Sequence, residues 1–166
     1  SPQSIGKAMV NLLPIETEEH IQAVMPMPND KESWDQLNIL FATASGSIRR
    51  NKLSDFVNIK RNGKIAIKLS ENDKLIGVTT CDDDAQILLA SKNGKAIRFS
   101  INQIRVFKGR DSSGVRGIKL LRNDNVVSMS VIANETTEYV LSICENGYGK
   151  RTKVTDYRET GRGGLG

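Results

Sequence analysis

Cations are the residues whose placement could do chemistry in this sequence. Lys and Arg number 24 against 19 Asp and Glu in 166 residues, a small excess that hides a sharp segregation. Segments 47–68, 92–122 and 147–166 hold 21 basic and 4 acidic residues, while the rest holds 3 basic and 15 acidic. Cations gathered at recurring positions are the electrostatic footprint of a phosphate backbone. Alternating basic and acidic strands making cross-strand pairs, each worth under ~1 kcal/mol, would account for single neighbours. Such pairs do not account for the same sign recurring at the same place three times. Lys60, Arg61, Lys64, Lys108, Arg110, Arg116, Arg158 and Arg162 fall between periodic runs, where phosphate contact is the natural role. Lys68 and Lys119 extend the track, and Arg49, Arg50, Arg98, Lys150 and Arg151 complete the candidate contact set. For Arg50, Arg98 and Arg151 internal pairing stays equally open, since Asp55 and Asp156 lie five residues beyond Arg50 and Arg151; Gln103 stands at the matching place in between. Aromatic residues make up 5% of the chain and do not interleave with the basic ones, which favours a duplex over a single-strand stacking platform.

Catalytic chemistry has little to work with. His20 is the only histidine, and neither Cys81 nor Cys144 is marked as its partner. One His and two scattered Cys fall short of a zinc site. Asp82-Asp83-Asp84 reads as a solvated turn. Tyr148 has Ser47 and Lys95 at the matching positions, so its hydroxyl is not a repeated feature, and Trp34 is expected to pack locally. Gly161-Arg-Gly-Gly-Leu-Gly166 is neither a Walker loop nor a dinucleotide fingerprint, although its glycines would let backbone N–H groups approach a phosphate. No catalytic residue, metal site or cofactor is expected in this chain.

The elements that must position these cations form a repeat. Gly-x-x-x-Arg followed by apolar residues at +7 and +10 occurs as Gly46, Arg50, Leu53, Phe56; as Gly94, Arg98, Ile101, Ile104; and as Gly147, Arg151, Val154, Tyr157. A second shared stretch starts at Gly6, Gly63 and Gly114, with Gly166 at the next start; these glycines lie 57, 51 and 52 residues apart. A period near fifty is that of a four-stranded propeller blade. In the second unit, 63–69, 75–81, 85–91 and 95–101 have strand character. Asn93-Gly94 and Asn146-Gly147 suggest type I′ hairpins. No run carries an apolar stripe at helical spacing. The expected fold is all-β: residues 1–166 form part of a β-propeller or close relative, about three four-stranded antiparallel blades from units 6–62, 63–113 and 114–166. Three blades leave two raw edges, to be met by further blades or by self-association. In such an array equal repeat phase means equal position, so the cations should align as one band.

No apolar run approaches the ~20 residues that span a bilayer, and no membrane partner is expected. The chain opens on Ser1 without a signal segment, which reads as a piece of a longer protein. Cys81 and Cys144 stand at different repeat phases, so no disulfide and a reducing cytoplasm are expected.

Gly6-Lys-Ala-Met-Val-Asn-Leu-Leu-Pro14, Gly63-Lys-Ile-Ala-Ile-Lys-Leu69, Gly114-Val-Arg-Gly-Ile-Lys-Leu120 and Glu145-Asn-Gly-Tyr-Gly-Lys-Arg-Thr152 together resemble the C-terminal domain of bacterial DNA gyrase A. The resemblance implies a six-bladed β-pinwheel whose blades exchange strands, of which this chain would supply half. It implies double-stranded DNA wrapped round a basic rim in the bacterial cytoplasm, in the service of negative supercoiling. It further implies gyrase B and the rest of gyrase A as partners, with ATP and Mg acting only in that holoenzyme and the DNA-cleaving tyrosine elsewhere in gyrase A. Thr160-Gly-Arg-Gly-Gly-Leu-Gly166 keeps Arg162, Gly163, Gly164 and Gly166 of the family box Gln-Arg-Arg-Gly-Gly-Lys-Gly but lacks its leading Gln and Arg and its Lys. That departure implies duplex binding weaker than full wrapping. The same resemblance admits the C-terminal domain of the equivalent topoisomerase IV subunit, and a propeller serving as a protein-docking platform is the reading from another class.

Overall fold

The computed structural model describes residues 5–13, 15, 18–60 and 63–166. Among them lie nine strands, five short 3-10 turns and no α-helix. Three hairpins organise the chain: β1 (Asn38–Thr43) with β2 (Ser47–Lys52), β4 (Gln86–Ser91) with β5 (Ala96–Ser100), and β8 (Tyr139–Ile143) with β9 (Gly149–Lys153). Each turns at the repeat glycine, at φ +88°, +82° and +82° for Gly46, Gly94 and Gly147. The glycine N–H donates to the carbonyl three residues back, at 3.0, 3.1 and 2.9 Å. Asn93 and Asn146 stay outside the left-handed region. The turns are therefore not type I′; they are tight turns closed by a single left-handed glycine, the bulged hairpin alternative.

Sheet composition departs from one four-stranded blade per sequence unit. β3 (Leu75–Cys81) pairs with β1, and β6 (Val115–Arg116) pairs with β2, giving the order β3-β1-β2-β6. β7 (Val126–Ile132) joins β4 in the sheet β5-β4-β7, and β8-β9 stands as a two-stranded sheet. Every strand pairing is antiparallel, while the isolated bridges Arg50–Val106 and Arg98–Glu159 run parallel. Residues 63–69, expected as a strand, form none. Their counterpart 114–120 gains its short strand only by lying on β2, so this segment type needs a neighbouring hairpin to become a strand.

Consecutive sheets stack through alternating side chains. On β4, Ile87 and Leu89 join Leu40, Ala42 and Ile48 of the first sheet, while Leu88 points to Val140 and Val154 of the third. Burial on both faces explains the unbroken apolar run at 87–90. The +7 and +10 residues anchor these clusters: Leu53, Ile101, Ile104 and Val154 are at most 1% exposed, Phe56 7%, and Tyr157 packs half-buried. Trp34 reaches beyond local packing, lying with Phe41 and Phe56 while its indole N–H donates to the Pro28 carbonyl at 3.0 Å. Each fully buried aliphatic or aromatic side chain contributes about 1.5–3 kcal/mol.

The segments leaving the second and third hairpins each return to the hairpin before. After β5 the chain crosses back so that the Phe107 N–H donates to the Arg50 carbonyl at 2.8 Å; after β9 the Thr160 N–H does the same to Arg98 at 2.8 Å. Gly114, at φ +102°, approaches β2 so closely that a Cβ would sit 2.2 Å from the Ile48 carbonyl oxygen. Gly166 would meet the Ala96 carbonyl at 2.8 Å, the same approach one unit on.

Two of the repeat arginines lock these junctions. Arg50 is 6% exposed and donates to Asn38 Oδ1 at 2.9 Å, to the Ile101 carbonyl at 3.2 Å and to Asp83, which lies between β3 and β4. Arg98, also 6% exposed, donates to Gln86 Oε1 at 2.8 Å and to Glu135, between β7 and β8, at 2.7 Å. Asp83 is thus no mere solvated turn, and Asp55, an expected partner of Arg50, instead accepts from Asn51 at 3.2 Å. Arg151 stands exposed over the Tyr139 ring, 4.6 Å from its centroid. Acidic residues cap the hairpins as well. Asp73 accepts from the Ser45 N–H and hydroxyl at 2.9 and 2.6 Å, and Asp124, one unit on, from the Ser91 hydroxyl and the Asn93 N–H at 2.6 and 3.0 Å.

Because Asp83 and Glu135 are half-exposed, solvent screens the ion pairs, and the hydrogen bonds of the buried guanidinium dominate. Arg50→Ala and Arg98→Ala should each cost roughly 2–3 kcal/mol in urea unfolding, against under ~0.5 kcal/mol for Arg151→Ala. Acid is the second test. Burial raises Asp73, but hydrogen bonds from Ser45 and Thr43 outweigh it and hold the carboxyl below its ordinary range. The Asn38 amide, ahead of Lys52 and Arg50, lowers Asp83, and the Ser91 hydroxyl lowers Asp124. Depressed folded-state values stabilise above the unfolded carboxylate pKa of about 4, and that contribution is lost as pH falls through them. Thermal midpoints should hold above about pH 5 and fall below pH 4, less steeply in Asp73→Asn.

Candidate nucleic-acid interface

The expected band of cations lies on three links that follow the hairpins: residues 57–68, 105–120 and 157–166. Whether they form one surface depends on what holds neighbouring links together. Links two and three run side by side as a short ladder. The Gly163 N–H donates to the Gly117 carbonyl and the Lys119 N–H to the Gly164 carbonyl, both at 2.7 Å. Arg162 adds a clasp: its N–H donates to Gln103 Oε1 at 2.6 Å, its Nε to the Gln103 carbonyl at 3.0 Å, and its Nη1 to the Arg116 carbonyl. Links one and two are joined by Arg49, whose Nη1 donates to the carbonyls of Arg110 and Ser112 at 2.9 and 2.6 Å and whose Nη2 donates to that of Ala66.

Arg49 is therefore a brace and not a surface cation. It is fully buried, with the Phe41 ring 5.0 Å from its guanidinium carbon. Burial, and then the neighbouring Arg110 charge, lower its pKa from the usual arginine value. Its repeat counterparts are Ile97, in the core, and Lys150, exposed. Arg49, Arg50 and Arg98 leave the contact set, because they are buried with their terminal nitrogens bonded to carbonyl and carboxylate oxygens inside the fold.

The remaining candidates present charge outward. Lys60, Lys64 and Lys68 are exposed on link one, Lys108, Arg116 and Lys119 on link two, and Arg158 on link three. Lys64 folds its ammonium toward the Asp55 and Asn58 carbonyls at 3.2 and 3.4 Å. Arg110 and Arg162 are half-buried within their links. None of these is in an ion pair among the described residues. Arg61 lies outside the described residues. Lys150 and Arg151 are exposed on β9, away from the links, at the positions of Arg49 and Arg50. Arg105 is a further cation, absent from the sequence-based set. It is exposed beside Phe107, 4.1 Å from the ring centroid, and follows Ile104 as Arg158 follows Tyr157, so the repeat itself points to it.

Other reactive groups stay apart. His20 and Cys144 are exposed, whereas burial pushes the Cys81 thiol up to about 12, and both cysteines are free. Among the described residues no three His, Cys, Asp or Glu side chains gather as metal ligands, and no helix is long and apolar enough to cross a membrane.

Known proteins match this architecture. The family model described as "DNA gyrase C-terminal domain, beta-propeller" matches residues 37–82, 85–133 and 138–166, one match per hairpin sheet. The DNA gyrase A of Rickettsia bellii is 41% identical, aligned over all of this chain and 23% of its own length; that of Staphylococcus epidermidis is 40% identical over all of this chain and 18% of its own. The chain thus spans less than a quarter of these relatives. Among solved structures, a DNA gyrase A C-terminal domain superimposes with a TM-score of 0.80 at 31% identity, over 96% of this chain and 51% of that one. A DNA topoisomerase IV C-terminal domain does so at 0.87 and 25%, over 99% of this chain and 50% of that one. With strands exchanged between blades and family matches across all three sheets, the chain belongs to the DNA gyrase C-terminal β-propeller domain family.

Proposed function

We propose that this chain is a non-catalytic module that binds and bends double-stranded DNA for a type IIA topoisomerase. The observation that carries the reading is the lateral bonding of consecutive links. Links one and two share the Arg49 brace and links two and three a short backbone ladder, so Lys60, Lys64, Lys68, Arg105, Lys108, Arg116, Lys119 and Arg158 are carried on one run of joined segments. A duplex laid along that run would lose condensed counterions to these side chains, with no base-edge reader needed. Contacts of this kind position the duplex without specifying sequence, and a curved track would bend it. Within a holoenzyme the module would present a bent segment for strand passage, while ATP hydrolysis and DNA cleavage fall to other parts of the assembly in the bacterial cytoplasm. The 40–41% identity to gyrase A proteins favours gyrase over topoisomerase IV, whose C-terminal domain superimposes more closely but shares 25%.

Fluorescence anisotropy with a duplex of mixed sequence tests the reading. Affinity should fall linearly on a log–log plot against salt with a slope near −0.9 per phosphate contacted, and should vary little with sequence. Lys108→Ala and Lys119→Ala should each reduce the slope by about one contact without changing thermal stability. Binding insensitive to salt, or unchanged when both lysines are removed, would contradict it.

A further inference from the structure

The junction between the first two hairpins departs from the repeat in two places that meet in space. Where link three crosses β5, the core residue Ile97 lies under it, its Cδ1 3.6 Å from where a Gly164 Cβ would sit. Where link two crosses β2, the equivalent residue is Arg49, fully buried and with its Nε lacking an acceptor. Burying a guanidinium where an aliphatic side chain serves the same crossing is costly, so its role lies in what it holds. Link two differs as well. From the +10 anchor to the next shared glycine is seven residues in link one, Phe56 to Gly63, and ten in link two, Ile104 to Gly114. The added length makes room for the turn Lys108-Gly-Arg-Asp-Ser-Ser113.

That turn is pinned through its carbonyls. Asn51 Nδ2 donates to the carbonyls of Phe107 and Gly109 at 2.8 and 3.2 Å, and Arg49 Nη1 to those of Arg110 and Ser112 at 2.9 and 2.6 Å. Four carbonyls are thus turned in toward β2, while no N–H of residues 108–113 donates to a backbone carbonyl among the described residues. Carbonyls spent inward and N–H groups left unspent are what backbone anion nests use. Arg110 stands in this turn half-buried, its Nε enclosed without an acceptor and its guanidinium in no ion pair among the described residues. Burial and then the Arg110 charge lower the Arg49 pKa; Asp111 and Asp55 act the other way, but neither bonds to Arg49. An anion at Arg110 would offset that repulsion and give a partly desolvated guanidinium its acceptor.

We infer that the 108–113 turn is a seat for one phosphate group, with Arg110 as its ligand and Arg49 as the residue that positions it. Arg49 acts from beneath by fixing the carbonyls on either side of Asp111, and its bond to the Ala66 carbonyl ties the seat to link one. Surface lysines must shed their water to take a phosphate, whereas Arg110 has shed part of its own in folding. The inference rests on the duplex-binding reading for the source of the phosphate, a backbone diester, while the seat itself requires only the anion.

Phenylglyoxal labelling of arginines, read residue by residue by mass spectrometry, is the test, with inorganic phosphate, chloride at matched ionic strength, or a mixed-sequence duplex added. Phosphate should shield Arg110 and leave Arg105, Arg116 and Arg158 reactive, and chloride should shield none of them. Arg49→Ile carries the side chain that serves the next crossing; it should raise the phosphate concentration needed by about tenfold or more, and Arg49→Lys should recover part of the loss. Buried Cys81 staying unreactive to a thiol reagent shows that these variants keep the fold; where it reacts, the wild-type shielding of Arg110 over Arg116 decides alone. Shielding by duplex without free phosphate would name the diester as the source, provided Arg49→Ile weakens it too. Shielding by neither, phosphate shielding of Arg110 no stronger than of Arg116, or undiminished shielding in a folded Arg49→Ile would overturn the inference. Phosphate shielding at Arg110 without salt-dependent duplex binding would keep the seat and sink the duplex-binding reading.

Discussion

Among the described residues, no hairpin completes its own sheet. The outer partner of β2 arrives from beyond β5, after some sixty residues of chain have gone to build the next blade, and the segment past β9 takes the same course along β5. Everything else follows from that dependence. It forces links to run alongside one another, requires glycine where link backbone meets hairpin backbone, and places an arginine at each junction to bind the next blade.

The same constraint sorts the charges. Carboxylates lie at hairpin turns and ahead of each hairpin, where Asp73, Asp124, Asp83 and Glu135 answer backbone N–H groups, hydroxyls and guanidinium groups. Among the described residues, cations on the links answer to nothing of opposite sign within the fold. Arg49 shows how a buried charge can serve an exposed surface: three carbonyls from two links converge on one guanidinium, fixing the spacing of the lysines above it.

Much of this was legible in the sequence. The +7 and +10 anchors are buried, Tyr157 only in part, and 75–81 is a strand from its first residue to its last. What could not be read was which neighbour each strand would choose. Residues 63–69 and 114–120 share a template, yet only 115–116 forms a strand, because only that segment has a hairpin beneath it. Arg49 looked like a surface cation, and Arg50 and Arg98 were open to either role, because strand alternation does not show that both faces of a hairpin strand will be covered. The core residue Ile97, aligned with Arg49, was the available sign. Asn-Gly suggested type I′ turns, but the φ of Asn93 and Asn146 is not positive and the glycine alone supplies the positive φ.

Lysine acetylation read by mass spectrometry, with and without duplex DNA, tests the central claim most directly, since one experiment reports links one and two at once. Lys60, Lys64 and Lys68 on one link and Lys108 and Lys119 on the next should be protected together, while Lys7, Lys31 and Lys74, which lie off the links, should stay reactive. Protection confined to a single link, or spread equally over all eight lysines, would contradict a continuous track made by the side-by-side packing of consecutive links.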